Sequence, residues 1–170
     1  MKQLVVTFIG PDRAGLVDQI SNVIFVHHAS WQASSLSNLA GMFTGIILVQ
    51  VSENQFNPLC DALSQIDGLD VMISEGAEQS STMHQACSLS VTGNDRPGIV
   101  QEVSRALATF GINISKMETH AQSAANAGTM IFLAQFKLTM PTSVSESDLQ
   151  EALEALSDDL IVEFDQEESQ

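Results

Sequence analysis

Apolar and polar residues alternate along Cys87-Ser-Leu-Ser-Val-Thr92, with Cys87, Leu89 and Val91 on one side, which is the period of a strand with one buried face. The stretch Leu4–Ile9 places Leu4, Val6 and Phe8 at the matching positions 83 residues earlier. Beyond each strand the period lengthens. Leu16, Ile20, Val23 and Ile24 in the first half, and Ile99, Val103, Ala106, Leu107 and Phe110 in the second, recur at three and four residues and predict amphipathic helices. Gly111 is placed to end the second of these. Two extended segments follow in each half, Ser30–Leu36 with Thr44–Val51, and Ile112–Met117 with Thr129–Leu138, the latter pair joined by a small polar loop from Gln122 to Gly128. Matching Ile46–Gln50 to Ile131–Gln135 requires an offset of 85 and predicts two extra residues in the second hairpin.

A further helix is expected from Phe56, Leu59, Cys60, Leu63 and Ile66, and its counterpart from Leu149, Ala152, Leu153 and Leu156, with Ser147 and Gln150 spaced as a capping box. Alternating strands close each half at Leu69, Val71 and Ile73, and at Leu160, Val162 and Phe164. The order strand, helix, strand, strand, helix, strand is therefore written twice. It predicts an α+β protein of two ferredoxin-like βαββαβ domains, each a four-stranded antiparallel sheet with both helices on one face. The expected domains span residues 1–76 and 85–165, joined by a Ser, Gln and Gly-rich linker over 77–84 and followed by an acidic tail over 166–170. Open sheet faces and unpaired edge strands can be covered by the two copies pairing with each other or by two chains pairing, and a homo-oligomer is expected.

Charge narrows the function. Six basic residues stand against 21 acidic ones, a formal net charge of −15. Lys2, Arg13, Arg96, Arg105, Lys116 and Lys137 are too scattered to track a phosphate backbone, so direct contact with nucleic acid is not expected. No apolar run approaches the roughly 20 residues needed to cross a bilayer, and the start of the chain lacks the pattern of a secretory signal, so a cytoplasmic protein without membrane attachment is expected. Cys60 and Cys87 sit in apolar patterns and read as small buried hydrophobes. His27, His28, His84 and His120 have no metal-ligand spacing; His84 falls in the linker and His120 in a strand. No nucleophile with a base, metal cluster or phosphate loop is found, so neither an enzyme nor a cofactor is expected.

One motif remains. Gly10-Pro-Asp12-Arg13-Ala-Gly15-Leu-Val17 recurs as Gly93-Asn94-Asp95-Arg96-Pro-Gly98-Ile-Val100, each time between first strand and first helix. Glycines let a ligand approach the backbone, a helix amino terminus offers unpaired N–H groups to a carboxylate, and Asp12 or Asp95 suits an amino group. Together they describe a receptor for a small amino acid. The same residues have a purely structural reading in which the aspartates cap the helices, the glycines permit tight turns and the arginines pair with local carboxylates.

The strand, Gly-x-Asp-Arg-Pro-Gly-Ile-Val, helix, Gly-x-Asn-Ile order of the second half resembles the ACT domain, a small regulatory module of amino-acid enzymes. Two such modules without a catalytic domain resemble the glycine cleavage repressor family. That resemblance implies a response to a small amino acid such as glycine, transmitted through a LysR-type transcription factor instead of DNA. It also implies that ligand lies at the loop after the first strand, often between two such domains. The corresponding residues are Gly10, Asp12, Arg13 and Gly15, with Gly93, Asn94, Asp95, Gly98 and Asn113. The first half departs from the pattern with Ala14 in place of Pro97, and Ser30 and Trp31 in place of Asn113 and Ile114.

Overall fold

The computed structural model describes residues 1–76, 84–123 and 128–165, and the chain divides into two compact units between residues 76 and 84. Most of the predicted linker and the acidic tail lie outside the described residues. The first unit runs β1 (Lys2–Pro11), α1 (Leu16–Val26), β2 (Ser30–Leu39), β3 (Met42–Val51), α2 (Glu53–Ser64) and β4 (Asp70–Glu75). The second runs β5 (His84–Asn94), α3 (Ile99–Thr109), β6 (Asn113–Ser123), β7 (Met130–Pro141), α4 (Glu146–Glu154) and β8 (Ile161–Asp165). His84, expected in the linker, instead opens β5 and pairs with Pro141.

Both sheets are antiparallel, in the order β2-β3-β1-β4 and β6-β7-β5-β8. The alternation read from sequence sets which face is buried. Leu4, Val6 and Phe8 of β1 meet Ile47 and Val49 of β3 and the helix stripe Leu16, Ile20, Ile24, Leu59 and Leu63 in one core. Leu89 and Val91 of β5 meet Phe136 and Leu138 of β7, with Ile99, Val103, Leu107, Leu149 and Leu153, in the other. Each such side chain contributes about 1.5–3 kcal/mol by leaving water. Cys87 is buried in the second core, whereas Cys60 is only half-buried against the first.

The second hairpin is longer than expected. Leu4 pairs with Val49 and Cys87 with Leu138, so β3 and β7 correspond at an offset of 89, with six extra residues in the second hairpin instead of two. The error of four is even, and it left the inward and outward sets unchanged, which is why the sequence pattern did not expose it. In the first unit Leu39 and Met42 flank a two-residue turn, Ala40-Gly41, whose φ angles of 52° and 79° suit the twist of a tight hairpin. In the second, Ser123 pairs with Met130, so β6 takes in Gln122 and Ser123 of the predicted loop.

Helix ends follow local chemistry. Gly111 has φ 69°, and its N–H reaches the Ala108 carbonyl while Ile112 N–H reaches Leu107, the bonding of a left-handed helix stop. His28 takes the same place after α1, with φ 53° and equivalent bonds to Phe25 and from Ala29 to Ile24. The cap of α4 is Ser145, whose Oγ accepts from Asp148 N–H at 3.1 Å, and not Ser147 as the spacing suggested. Ser147 is already inside the helix, and Gln150 donates instead to Glu154 and to the Val162 carbonyl.

Candidate functional site

The repeated motif begins inside a strand. Gly10 and Pro11 still pair with Phe43 and Met42, and Gly93 and Asn94 with Phe132 and Ile131. Gly10 is buried because the α2–β4 loop crosses over it: a Cβ there would lie 2.1 Å from the Gly68 carbonyl oxygen. Gly93 occupies the same place beneath Leu160, where a Cβ would lie 2.7 Å from the end of that side chain. These two glycines serve chain crossing. Gly15 and Gly98 serve the turn, with φ of 88° and 92°, and each is the residue that caps the following helix.

Neither aspartate caps a helix. Both α1 and α3 start without any side-chain cap, the N-cap position being the left-handed glycine that follows Asp12 or Asp95 by three residues. The main chain of each is tied to the hairpin, Asp12 N–H to Gly41 at 2.8 Å and Asp95 N–H to Met130 at 2.9 Å. Their side chains differ. The Asp12 carboxylate accepts from the Asn38 side chain of β2, whereas the Asp95 carboxylate makes no hydrogen bond among the described residues.

The arginines diverge in the opposite sense. Arg96 grips Glu102 with two bonds of 2.9 and 2.5 Å, one turn into α3. At the matching position after Arg13 stands Gln19, so Arg13 bonds a neutral amide oxygen at 2.8 Å and the Asp67 carbonyl at 3.0 Å. Pairing with a carboxylate thus holds for Arg96 but not for Arg13. The contrast is written in the sequence at the motif's own offset, as Gln19 against Glu102.

Asn94 is held by its backbone. Its N–H donates to Asp159 Oδ2 at 2.8 Å, and Ser157 Oγ bonds the other oxygen of that carboxylate. Pro11, the counterpart of Asn94, has no N–H to satisfy, and the α2–β4 loop has Gly68 where the second unit has Asp159. Asp159 is held below the usual carboxylate range, first by the Ser157 hydroxyl and then by the Asn94 N–H. Glu102 is lowered too, chiefly by its bonds from Arg96. A carboxylate depressed on folding contributes stability above its unfolded pKa, near 4, which is lost as pH falls through the lower folded value. The melting temperature of the second unit is therefore expected to fall more steeply on acidification below about pH 4 than that of a Glu102→Gln, Asp159→Asn variant, as followed by calorimetry.

Asn113 does not join the motif. It opens β6 opposite Thr139, whereas Asn94 lies opposite Ile131, eight positions away along β7. That separation is about 27 Å at the rise of a strand. Within one domain no small ligand touches both.

Family models agree with this geometry. One ACT domain model matches residues 2–74, and another ACT domain model matches residues 88–160. The chain belongs to the ACT domain family. Its two ACT domains are arranged in tandem and account for most of the chain. Over 161 residues it is 25% identical to the glycine cleavage system transcriptional repressor of Escherichia coli (strain K12), covering 92% of this chain and 85% of the repressor. The same figures hold for the repressor of Shigella flexneri. A crystal structure of a protein of unknown function from Galdieria sulphuraria is 26% identical with a TM-score of 0.85, covering 96% of each chain. The two ACT domains are thus related to a regulator as well as alike in fold. Among the described residues no helix is long and apolar enough to cross a membrane, and no group of His, Cys, Asp and Glu is placed to hold a metal ion.

Proposed function

We propose that this tandem ACT protein is a non-catalytic, cytoplasmic regulator that responds to a small amino acid, with glycine the leading candidate, and controls glycine cleavage through a LysR-type transcription factor. The observation that carries the ligand reading is the Asp95 carboxylate, without a hydrogen-bond partner among the described residues, beside a helix whose amino terminus has no side-chain cap. An ammonium group suits the first and a carboxylate the second. Gly93 and Gly98 keep the chain compact between them, and Asn94 is steadied by Asp159. Asn113 takes part only where a second ACT domain brings its β6 toward this loop.

Action through a protein partner is supported by charge. With a net charge of −15, and with Lys2, Arg96 and Lys116 of the six basic residues paired to carboxylates, the chain has little to offer a phosphate backbone. The relationship to glycine cleavage repressors supplies the regulated process.

A thermal-shift panel tests the reading. Glycine at millimolar concentration is expected to raise the melting temperature by mass action, with larger apolar amino acids less effective. A module that only docks proteins would show no shift with any of the common amino acids, and that result would remove the ligand from the proposal. The same protein is expected to leave duplex DNA unshifted in a mobility assay while co-purifying with the transcription factor.

A further inference from the structure

The two sheets differ on the side away from their helices. In the first domain Leu4, Val6 and Phe8 face the helices, so Val5 and Ile9 face the other way. Register sets Leu48 beside Val5, and Ile46 and Met72 on either side of Thr7. Ile9 is 45% exposed, Ile46 48% and Met72 69%. The second domain has Ser88, Thr92, Gln135, Lys137 and Glu163 at the places of Val5, Ile9, Ile46, Leu48 and Met72. The contrast reverses only toward the motif end, where Leu133 and Ile161 stand for Thr44 and Asp70. The apolar patch is therefore particular to the first copy and is not demanded by the fold, the mark of a contact surface.

The patch is neutral, but its setting is acidic. Of the charged residues in these four strands, Lys2 and Glu75 stand in register with the buried Val51 and Leu4, on the helix side, and Asp70 alone lies on the open side. At the Asp70 end β1 runs on into Asp12, and β4 begins just after Asp67. Residues 1–76 hold seven acidic residues against two basic ones, and both basic side chains are engaged, Lys2 with Glu75 and Arg13 with Gln19 and the Asp67 carbonyl. A second copy would bring the same acids against this setting, whereas a partner with basic flanks is drawn to it. Size narrows the partner further. Val5 to Ile9 spans about 14 Å along the strand, and Met72 to Ile46 about 10 Å across two strand spacings. That is the footprint of roughly nine residues of α-helix. The opposite side of the same sheet is covered in this way by α1 and α2.

We infer that the open sheet face of the first domain docks the protein partner, and that it takes an amphipathic helix with an apolar stripe and basic flanks. The stripe covers Val5, Ile9, Ile46, Leu48 and Met72, and the flanking Lys or Arg residues meet the acidic end marked by Asp70. The apolar contact supplies most of the affinity, and the acids supply orientation and speed of encounter. This surface rests on the proposed action through a protein partner and adds where that partner binds. The second domain, with Lys137, Gln135 and Glu163 on the same face, offers no equivalent.

The probe is a fluorescently labelled synthetic peptide of about 14 residues, with leucine at helical spacing and lysine elsewhere. Titration with the full chain, without any amino acid present, is expected to raise its anisotropy to saturation. The double variant Ile9→Thr, Ile46→Gln should weaken binding by roughly tenfold or more. Circular dichroism should stay unchanged, because Thr92 and Gln135 hold those places in the second domain. The same peptide with glutamate for lysine should not bind. Equal binding by the unaltered chain and the variant, or equal binding of a scrambled peptide of the same composition, would reduce the contact to charge attraction and overturn the surface. Sedimentation giving the mass of two chains for the unaltered protein and of one for the variant would assign the face to a second copy and overturn it as well. In co-purification the variant should lose the transcription factor while keeping its melting shift with glycine. A factor retained by the variant overturns the surface and leaves the partner reading standing; a factor that never co-purifies with the unaltered chain removes both.

Discussion

Gly10→Ala is expected to unfold the first ACT domain far below the second. A methyl group at this buried position would sit 2.1 Å from the Gly68 carbonyl oxygen and 2.7 Å from Leu69 Cδ2. The side chain can swing away; the carbonyl belongs to the backbone of the α2–β4 loop and cannot move without pulling β4 from β1, where Ile9 pairs with Asp70. The expected cost is about 3 kcal/mol or more. For a domain of this size that is a fall of roughly 12 to 24 °C in melting temperature. Gly93→Ala meets chiefly the tip of the Leu160 side chain, with the nearest backbone atom, the Asp159 oxygen, at an ordinary 3.5 Å. It should cost only about 1 kcal/mol. Calorimetry of the two variants checks both: Gly10→Ala separates a low-temperature transition from the rest, and Gly93→Ala scarcely does. Equal shifts would show that the crossing loops yield alike in the two domains.

The contrast shows where reading the sequence stopped. Element type and order were legible because one sheet face and one helix stripe are buried, and those two periods differ. The residue-by-residue correspondence of β3 in one domain to β7 in the other was not, since a slip of four residues keeps every side chain on its own face. Gly10 and Gly93 look identical in the motif, and their different burdens come from Gly68 and Leu160, far along the chain and invisible to local pattern. Asn113 follows α3 closely in sequence, yet helix α3 carries the chain back along the sheet before β6 begins, so it starts at the end remote from Asp95. The motif's charges were legible as residue types, but their partners were not. Asn38 reaches Asp12 only through the β2–β3 hairpin, and Arg13 finds Asp67 only through the α2–β4 loop.

Those partners divide the work of the two loops and lead to the second large effect, in ligand affinity. In the second domain Glu102 neutralises Arg96 with two bonds, and the Asp95 carboxylate has no hydrogen bond among the described residues, so under the proposed function Asp95 is the charge that would meet an ammonium group. In the first domain the Asp12 carboxylate is occupied by Asn38, and Arg13 keeps its charge because its partners are neutral. An amino acid entering the first loop would have to displace an existing hydrogen bond before its ammonium found an anion. A charge-assisted bond is worth about 1.5–3 kcal/mol, or roughly ten- to a hundredfold in dissociation constant. Asp95→Asn, which keeps shape and removes charge, is accordingly expected to weaken glycine binding by that factor in titration calorimetry, while Asp12→Asn changes it by less than about threefold. Asn38→Ala should act in the other direction by releasing Asp12, adding a second, weaker binding event. If instead Asp12→Asn abolished binding and Asp95→Asn did not, the uncompensated Arg13 would be the decisive group, and the ligand would be held mainly by its carboxylate in the first domain.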